Sequence, residues 1–323
     1  MKNSITKVCK NLALAGCLVA GLATTSAAVN VDKVHFLIPG GAGGGWDGTA
    51  RGVGEALKKS NLVKETSFEN MSGGGGGKAI AYIIETAKKQ KDTLLVNSTP
   101  IVIRSLQGVF PQSFRDLTLV STVVADYGVL VVKKDSKYNS WQDVKNAFDK
   151  NPRKVKIAGG SSRGSMDHLV AAQIFKAAGA DPKSVRYIPY DAGGKALAGL
   201  LTGEVDVLST GLGEVLEKHM KGELKIIGVT SDESVQGIPS FKSMGTDAYF
   251  ANWRGFFGAP NMSEEKAFAY AKVISKMYKT EEWEVVRKRN GWTNLYKPTE
   301  FFNKFLLEQE KVIGSLMKEM GFL

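Results

Sequence analysis

The sequence predicts an α/β protein of two similar lobes that close on a small-molecule cleft, and three observations carry that expectation. Short β-rich runs alternate with helical stretches from Val34 onward, the pattern of a parallel α/β architecture. A strand–glycine loop–helix unit over 34–57 is echoed by a second over 155–178, about 120 residues on, and in open α/β sheets ligands sit beyond the carboxyl ends of strands. Past a short leader, about 295 residues remain, enough for two domains with ordinary cores.

The leader comes first. Lys2, Lys7 and Lys10 precede an apolar run over 12–22 and a small-residue zone over 24–28, the pattern of a secretory signal with a mature start near Val29. Leu14-Ala15-Gly16-Cys17 resembles a lipoprotein box, but the apolar run continues past Cys17, so the later cleavage site and a soluble periplasmic protein are expected. Both cysteines, Cys9 and Cys17, fall in this leader, which leaves the mature chain no disulfide and no thiolate metal site. Its three lysines and no acid reduce the formal +11 to +8. An exported chain of that sign suits small anions better than nucleic acid, and the densest basic cluster, Arg287-Lys288-Arg289, reads as a solvated helix face. No cofactor is expected, and a monomer is.

In chain order, the run 34–38 is an apolar strand stopped at Pro39. Five glycines in six residues follow, and helical spacing begins at 48, with Asp47 as the expected N-cap and Arg51 one turn on to pair with it. A β-rich run over 66–69 leads to a second glycine tract, Ser72 to Lys78. It fails as a phosphate loop, with Ser72 at the first glycine position and Ala79 where magnesium needs a hydroxyl, and reads as a flexible surface turn before a helix over 78–89. Strands over 93–97 and 128–133 and a helix over 141–149 complete the first stretch. The second unit sets a strand over 155–158, the loop Gly159-Gly160-Ser161-Ser162-Arg163-Gly164-Ser165 and a helix over 165–178. Strands over 185–188, 205–208, 224–229 and 255–259 alternate with helices over 194–201, 213–221, 264–278 and 282–289. The last helix, 299–320, carries Phe301, Phe302, Phe305, Leu306, Val312, Ile313, Leu316 and Met317 at helical spacing just after Pro298, a stripe expected to pack into the core. Crossings near 124–127 and 250–254 would give one lobe of 29–124 with 250–323 and another of 125–249.

Both loops feed a helix start, and a glycine loop there is an anion cradle. Backbone N–H groups can turn inward where glycine adopts positive φ, and the helix adds unpaired donors and the positive end of its dipole. In the first loop the expected ligand contacts are Gly41, Gly43, Gly44, Gly45, Trp46 and Asp47, with Gly44 expected to need positive φ. Gly43, Gly45 and Gly48 satisfy G-x-G-x-x-G, but Trp46 stands where a dinucleotide needs close backbone approach. In the second loop Ser161, Ser162, Gly164 and Ser165 offer hydroxyls and backbone, while the serines can also cap the helix. Arg163 either forks a carboxylate or points to water, and His168, one turn in, either reaches the anion or reinforces the loop. Tyr190 and Asp191 end one strand and Asn97, Ser98 and Thr99 another, facing the same cleft.

These residues resemble a known family, the periplasmic solute receptors of tripartite tricarboxylate transporters, also called Bug proteins. The resemblance rests on P-G-G-A-G-G-G-W-D-G-T-A-R (39–51), N-M-S-G-G-G-G-G (70–77), D-T-L-L (92–95), G-S-M-D-H-L (164–169), I-P-Y-D-A-G-G-K-A-L (188–197), T-G-E-V-D-V (202–207) and W-R-G-F-F-G-A-P (253–260), in order over most of the mature chain. It implies a type II periplasmic-binding-protein fold, a carboxylate held by backbone amides and ordered water in loops 41–47 and 161–165, and delivery to membrane permease subunits. Many members have a shorter P-G-G-x-x-D loop; the inserted glycines and Trp46 look like the subgroup associated with citrate-like tricarboxylates.

A rival reading is a secreted serine hydrolase. Gly160-Ser161-Ser162-Arg163-Gly164 matches G-x-S-x-G in a strand–turn–helix context with Ser162 as nucleophile, and Asp206 and His219 follow in hydrolase order. Against it, His219 falls within a helical run, no H-G-G-G segment exists, and geometry decides catalytic roles.

Overall fold

The computed structural model describes residues 30–323, so the expected leader and Cys17 lie outside the described residues. The strands are β1 (Lys33–Ile38), β2 (Glu65–Asn70), β3 (Thr93–Ser98), β4 (Thr118–Lys133), β5 (Ile157–Gly159), β6 (Tyr187–Pro189), β7 (Val207–Gly211), β8 (Leu224–Val229), β9 (Ala251–Gly258) and β10 (Thr293–Asn294). The helices are α1 (Gly45–Lys59), α2 (Gly77–Glu85), α3 (Thr99–Leu106), α4 (Trp141–Lys150), α5 (Met166–Ala177), α6 (Gly193–Thr202), α7 (Leu212–Met220), α8 (Glu264–Met277), α9 (Glu281–Arg289) and α10 (Thr299–Glu319).

The strands run in the order β2-β1-β3-β9-β4-β7-β5-β6, with β8 and β10 also on β4. Two parallel sets are joined by antiparallel β9 and β4: β1 pairs β2 and β3, and β5 pairs β6 and β7. β4 belongs to both sets. Its residues Thr118–Tyr127 pair β9, and from Gly128 its partners are β7 and β8. The parallel strands β1 and β3 of one set and β5, β6 and β7 of the other therefore end toward one another, where the loops gather.

β4 is ten residues longer than expected. Val120, Val123 and Val124 are β-branched and buried, but Asp126 followed by Tyr127 and Gly128 interrupts the apolar run and reads as a break. The strand continues because Arg254 on β9 reaches the Asp126 carboxylate at 2.7 Å. Helix α3 is not among the expected elements; its Pro100 sits in the first turn, where the missing N–H costs nothing. In α10 the expected stripe is core at Phe302, Leu306, Ile313 and Met317, with the Phe302 ring centroid 5.7 Å from Trp253 and 5.2 Å from Phe257, but Phe301 and Val312, each one residue off that face, are exposed. Arg287 and Arg289 of the basic cluster are engaged by Glu284 and Glu55, each at 2.7 Å.

The core has three parts. One lies with β1, β3, the first half of β4, β9 and α1, α8 and α9; one lies with the second half of β4, β7, β8, α6 and α7; the third runs from Leu37, Ile80 and Leu95 through Ile103 and Phe302 to Trp141, Phe148 and Phe175. The two strand sets thus share packing on one side and part on the other, at the loops.

Candidate ligand-binding cleft

A cavity of about 350 Å³ opens where the loops meet, within the ~300–1,000 Å³ range of small-molecule sites. Six helices begin on it. Its lining includes Gly44 and Gly45 at the start of α1, Gly76 before α2, Ser98 before α3, Ser165 before α5, Ala192 before α6 and Glu214 in the first turn of α7. Each start contributes unpaired N–H groups and roughly half a positive charge, so the cavity is polarised for an anion.

The two expected loops are built alike. In the first, Gly43 has φ +75 and its N–H donates to Asp47 Oδ2 at 3.0 Å; in the second, Gly164 has φ +71 and its N–H donates to His168 Nδ1 at 3.0 Å. Asp47 is therefore not the N-cap. That place is Gly44, at φ −89, and Asp47 is the third helical residue, reaching back to the glycine before the cap. Gly44 does not use positive φ either; Gly43 does, and what Gly45 requires is space, because a Cβ there would overlap Arg254 Nη2 and stand 2.7 Å from its Cζ. Asp47 is further held by Arg51 at 2.8 Å and Asn70 at 3.0 Å. Trp46 lines the cavity and donates from Nε1 to Ser98 Oγ at 2.9 Å.

The second loop's side chains divide. Ser161 Oγ accepts from Asp167 N at 2.9 Å, and Tyr187 Oη donates to Ser161 O at 2.7 Å, so this serine caps the helix. Ser165 makes no side-chain cap, and both it and Ser162 line the cavity. His168 stacks on Tyr187 at 4.6 Å, and burial, with Arg163 beside it, pushes its imidazole down to about 4; it is neutral with Nδ1 accepting, which requires the proton on Nε2.

Of the expected contacts, Gly41, Gly44, Gly45, Trp46, Ser98, Ser161, Ser162, Ser165, Tyr190 and Asp191 lie on the cavity wall. Gly43, Asp47, Gly164 and His168 stand behind the wall as loop supports. Asn97 and Thr99 are buried away from it, with Asn97 Oδ1 accepting from Ser98 N at 2.8 Å. Arg163 is exposed and off the wall. Tyr190 presents its backbone side, because its hydroxyl lies against α6, 2.5 Å from where a Cβ of Gly199 would be. Asp191 spans the cleft: Ser72 Oγ donates to its Oδ1 at 2.5 Å. The second glycine tract is not a surface turn, since Ser72 and Gly73 to Gly76 form a wall. Opposite it, Ala192 has φ +88, a conformation alien to a residue with a Cβ, and its methyl lies 3.0 Å from the Cβ position of Gly41.

Four positions were not expected at the cleft: Asp167, Glu214 and Arg254 on its wall, and Asp126 behind it as the partner of Arg254. Arg254 is 3% exposed; Nη2 donates to Asp126 Oδ2 at 2.7 Å and Nη1 to Thr49 Oγ1 at 3.0 Å. Asp167 and Arg254 stand inside motifs that carry the resemblance, and Asp126 is the lone acid of a β-branched run, but their meeting depends on strand order that spacing does not reveal. Glu214 had no signal at all.

The hydrolase arrangement is absent. Asp206 Oδ2 accepts from Lys156 N at 3.0 Å, and His219 Nδ1 accepts from Ile226 N at 3.3 Å, near the end of α7 remote from the helix start at the cavity.

A family model described as the tripartite tricarboxylate transporter family receptor matches residues 49–322. The fold is that of solved two-lobed relatives. The periplasmic binding protein BugD is 20% identical, covering 90% of this chain and 98% of its own, with a TM-score of 0.79. MatC from Rhodopseudomonas palustris, with bound malate, is 17% identical over 88% and 98%, TM-score 0.76. A second R. palustris protein, with adipate, is 18% identical over 90% and 97%, TM-score 0.80.

Proposed function

The chain belongs to the tripartite tricarboxylate transporter receptor family, and on that premise we propose that it captures a citrate-like di- or tricarboxylate in the periplasm and delivers it to membrane permease subunits. It is a receptor, not an enzyme. The observation that carries the ligand class is the convergence of six helix N-termini on one cavity. Solved neighbours with malate and with adipate support a carboxylate; the long glycine loop with Trp46 on the wall supports the citrate-like end of that class. The lobes are proposed as 29–124 with 250–323, and 125–249, supported by the change of partners along β4 at Gly128; a hydrogen-exchange boundary elsewhere along β4 would move that division. The expected signal at 1–28 and the absence of a helix long and apolar enough to cross a membrane among the described residues accord with export.

Thermal-shift screening against citrate, malate, adipate, sugars and cations tests the reading. Ligand near ~100 times its Kd stabilises by about 2.7 kcal/mol. Stabilisation by sugars or cations with none by any carboxylate would sink it.

A further inference from the structure

The cavity floor is acidic, which is unexpected beneath an anion. Asp126 of β4 takes Arg254 of β9, and Gly213 N also donates to its Oδ1 at 3.2 Å. That uses the one arginine on the floor. Asp126 lies behind the cavity wall, whereas Asp167, in the first turn of α5, and Glu214, in the first turn of α7, line it, and neither of these two has an ion-pair partner among the described residues. Around the Cβ position of Gly211, Arg254 Nη2 lies at 3.0 Å and Glu214 Oε1 at 3.2 Å, with Asp126 Oδ2 closer still, so the pair and the glutamate share one spot.

The two oxygens of Glu214 have different surroundings. Oε1 accepts from Gly211 N at 3.3 Å, closing the start of α7. Oε2 is turned to Gly193, the first residue of α6 and part of the cavity wall, where even a Cβ on that glycine would overlap it. An ionised carboxyl there, even with the Thr210 hydroxyl as a partner, would set a negative oxygen against a bound carboxylate, beside Asp167 and Asp126; a protonated one offers an O–H at that point while Oε1 goes on accepting.

We propose that Glu214 is the specificity-determining residue of the cleft floor, binding in its neutral form and donating a hydrogen bond from Oε2 to an oxygen of the captured anion, so that the receptor takes up the ligand only with this proton in place. The proposal rests on the carboxylate reading above. The proton comes from solvent, stays on Glu214, and no bond is made or broken in the ligand. The groups facing Glu214 are Asp126, Asp167, Arg254 and the Thr210 hydroxyl. Burial and then the Asp167 charge raise the glutamate to about 8, with Arg254 opposing; burial also raises Asp167, to about 6, against the Ser161 hydroxyl and backbone N–H groups. Burial raises Asp126 as well, against Arg254. Two buried carboxyls side by side resist both being ionised, and the proton they share falls on the Glu214 side, where burial and the neighbouring acids act with Arg254 alone opposing among the charged groups.

The test is titration calorimetry with citrate, malate and adipate at pH 7 and pH 9, on the wild type and on Glu214→Gln, which keeps a donor and cannot ionise. If only neutral Glu214 binds, the wild-type Kd rises ~10-fold between these values, as for a group titrating near 8. Glu214→Gln should bind at both with a Kd changed less than ~2-fold between them. A wild-type Kd that is flat from pH 7 to 9 overturns the proposal while leaving the carboxylate reading intact, and that measurement needs no variant to fold. Binding of none of the three anions at either pH overturns the reading itself. A wild-type rise that Glu214→Gln reproduces assigns the titration to another group and also overturns it.

Discussion

The two cradles share a plan and differ in what fills it. In each, a left-handed glycine ahead of the helix gives its N–H to the third helical side chain, Gly43 to Asp47 and Gly164 to His168, both at 3.0 Å. Asp47 is a charged acceptor, stabilised by Arg51 and Asn70 and by the helix start itself. His168 does the same work as a neutral acceptor stacked on Tyr187. The first loop is then closed by backbone fit against Arg254, the second by the Ser161 hydroxyl and Tyr187. One geometry for holding an anion does not prescribe the chemistry that supports it, and the two supports should fail under different insults.

The largest separation comes from Gly45. A methyl there displaces the Arg254 guanidinium from a fully buried pair with Asp126. Gly45→Ala should cost roughly 3–5 kcal/mol, the range for breaking such a pair, and abolish binding. Gly44→Ala next door meets nothing nearer than 3.4 Å, at Gly41 O, and should melt and bind like the wild type. Paired thermal melts and calorimetry read both, and equal melts for the two variants would remove the first loop's dependence on backbone fit.

Acid comes next and acts on the second loop. His168 is held down to about 4 by burial, against an ordinary 6.5, so the folded chain binds fewer protons than the unfolded chain between those values. Stability from this group is complete above pH 6.5 and is lost as pH falls toward 4, on the order of 3 kcal/mol. His168→Gln, whose amide oxygen can still accept from Gly164 N, should flatten that part of a melting-temperature profile. An unchanged slope would mean the acid sensitivity lies elsewhere.

The smallest effect divides the second loop's own hydroxyls. Ser162 lines the cavity without a hydrogen bond to its side chain among the described residues, so Ser162→Ala should weaken carboxylate binding by ~0.5–1.5 kcal/mol and leave melting unchanged. Ser161→Ala should lower the melting temperature as well, since its oxygen caps α5. Reversed outcomes would exchange their roles.

The strand–loop–helix echo was legible because it is local: apolar runs, small-residue loops and helical spacing lie within some twenty residues. Element existence followed, and so did the Asp47–Arg51 pair, set by spacing along one helix. The floor of the cleft was not legible. Asp126 and Arg254 are 128 residues apart and meet only because β4 lies beside β9. Asn97 and Thr99, expected at a strand end facing the cleft, are buried away from it because α3 starts directly from β3. Which glycine needs positive φ and which needs room, Gly43 and Gly45, depends on neighbours brought from β9 and α6, not on the tract itself.

At the contact between the two halves, Ala192 holds a backbone conformation that glycine would adopt freely and that costs other residues ~1–3 kcal/mol. Its methyl is what meets Gly41 across the gap. A strained residue holds nothing by itself; the two sides are held beside it by the Ser72–Asp191 hydrogen bond and, behind it, by the core that runs continuously from Leu37 to Phe175. The mouth is thus fastened by polar contacts that water can replace and the root by apolar packing that water cannot, so the two ends of the cleft differ in what it takes to part them.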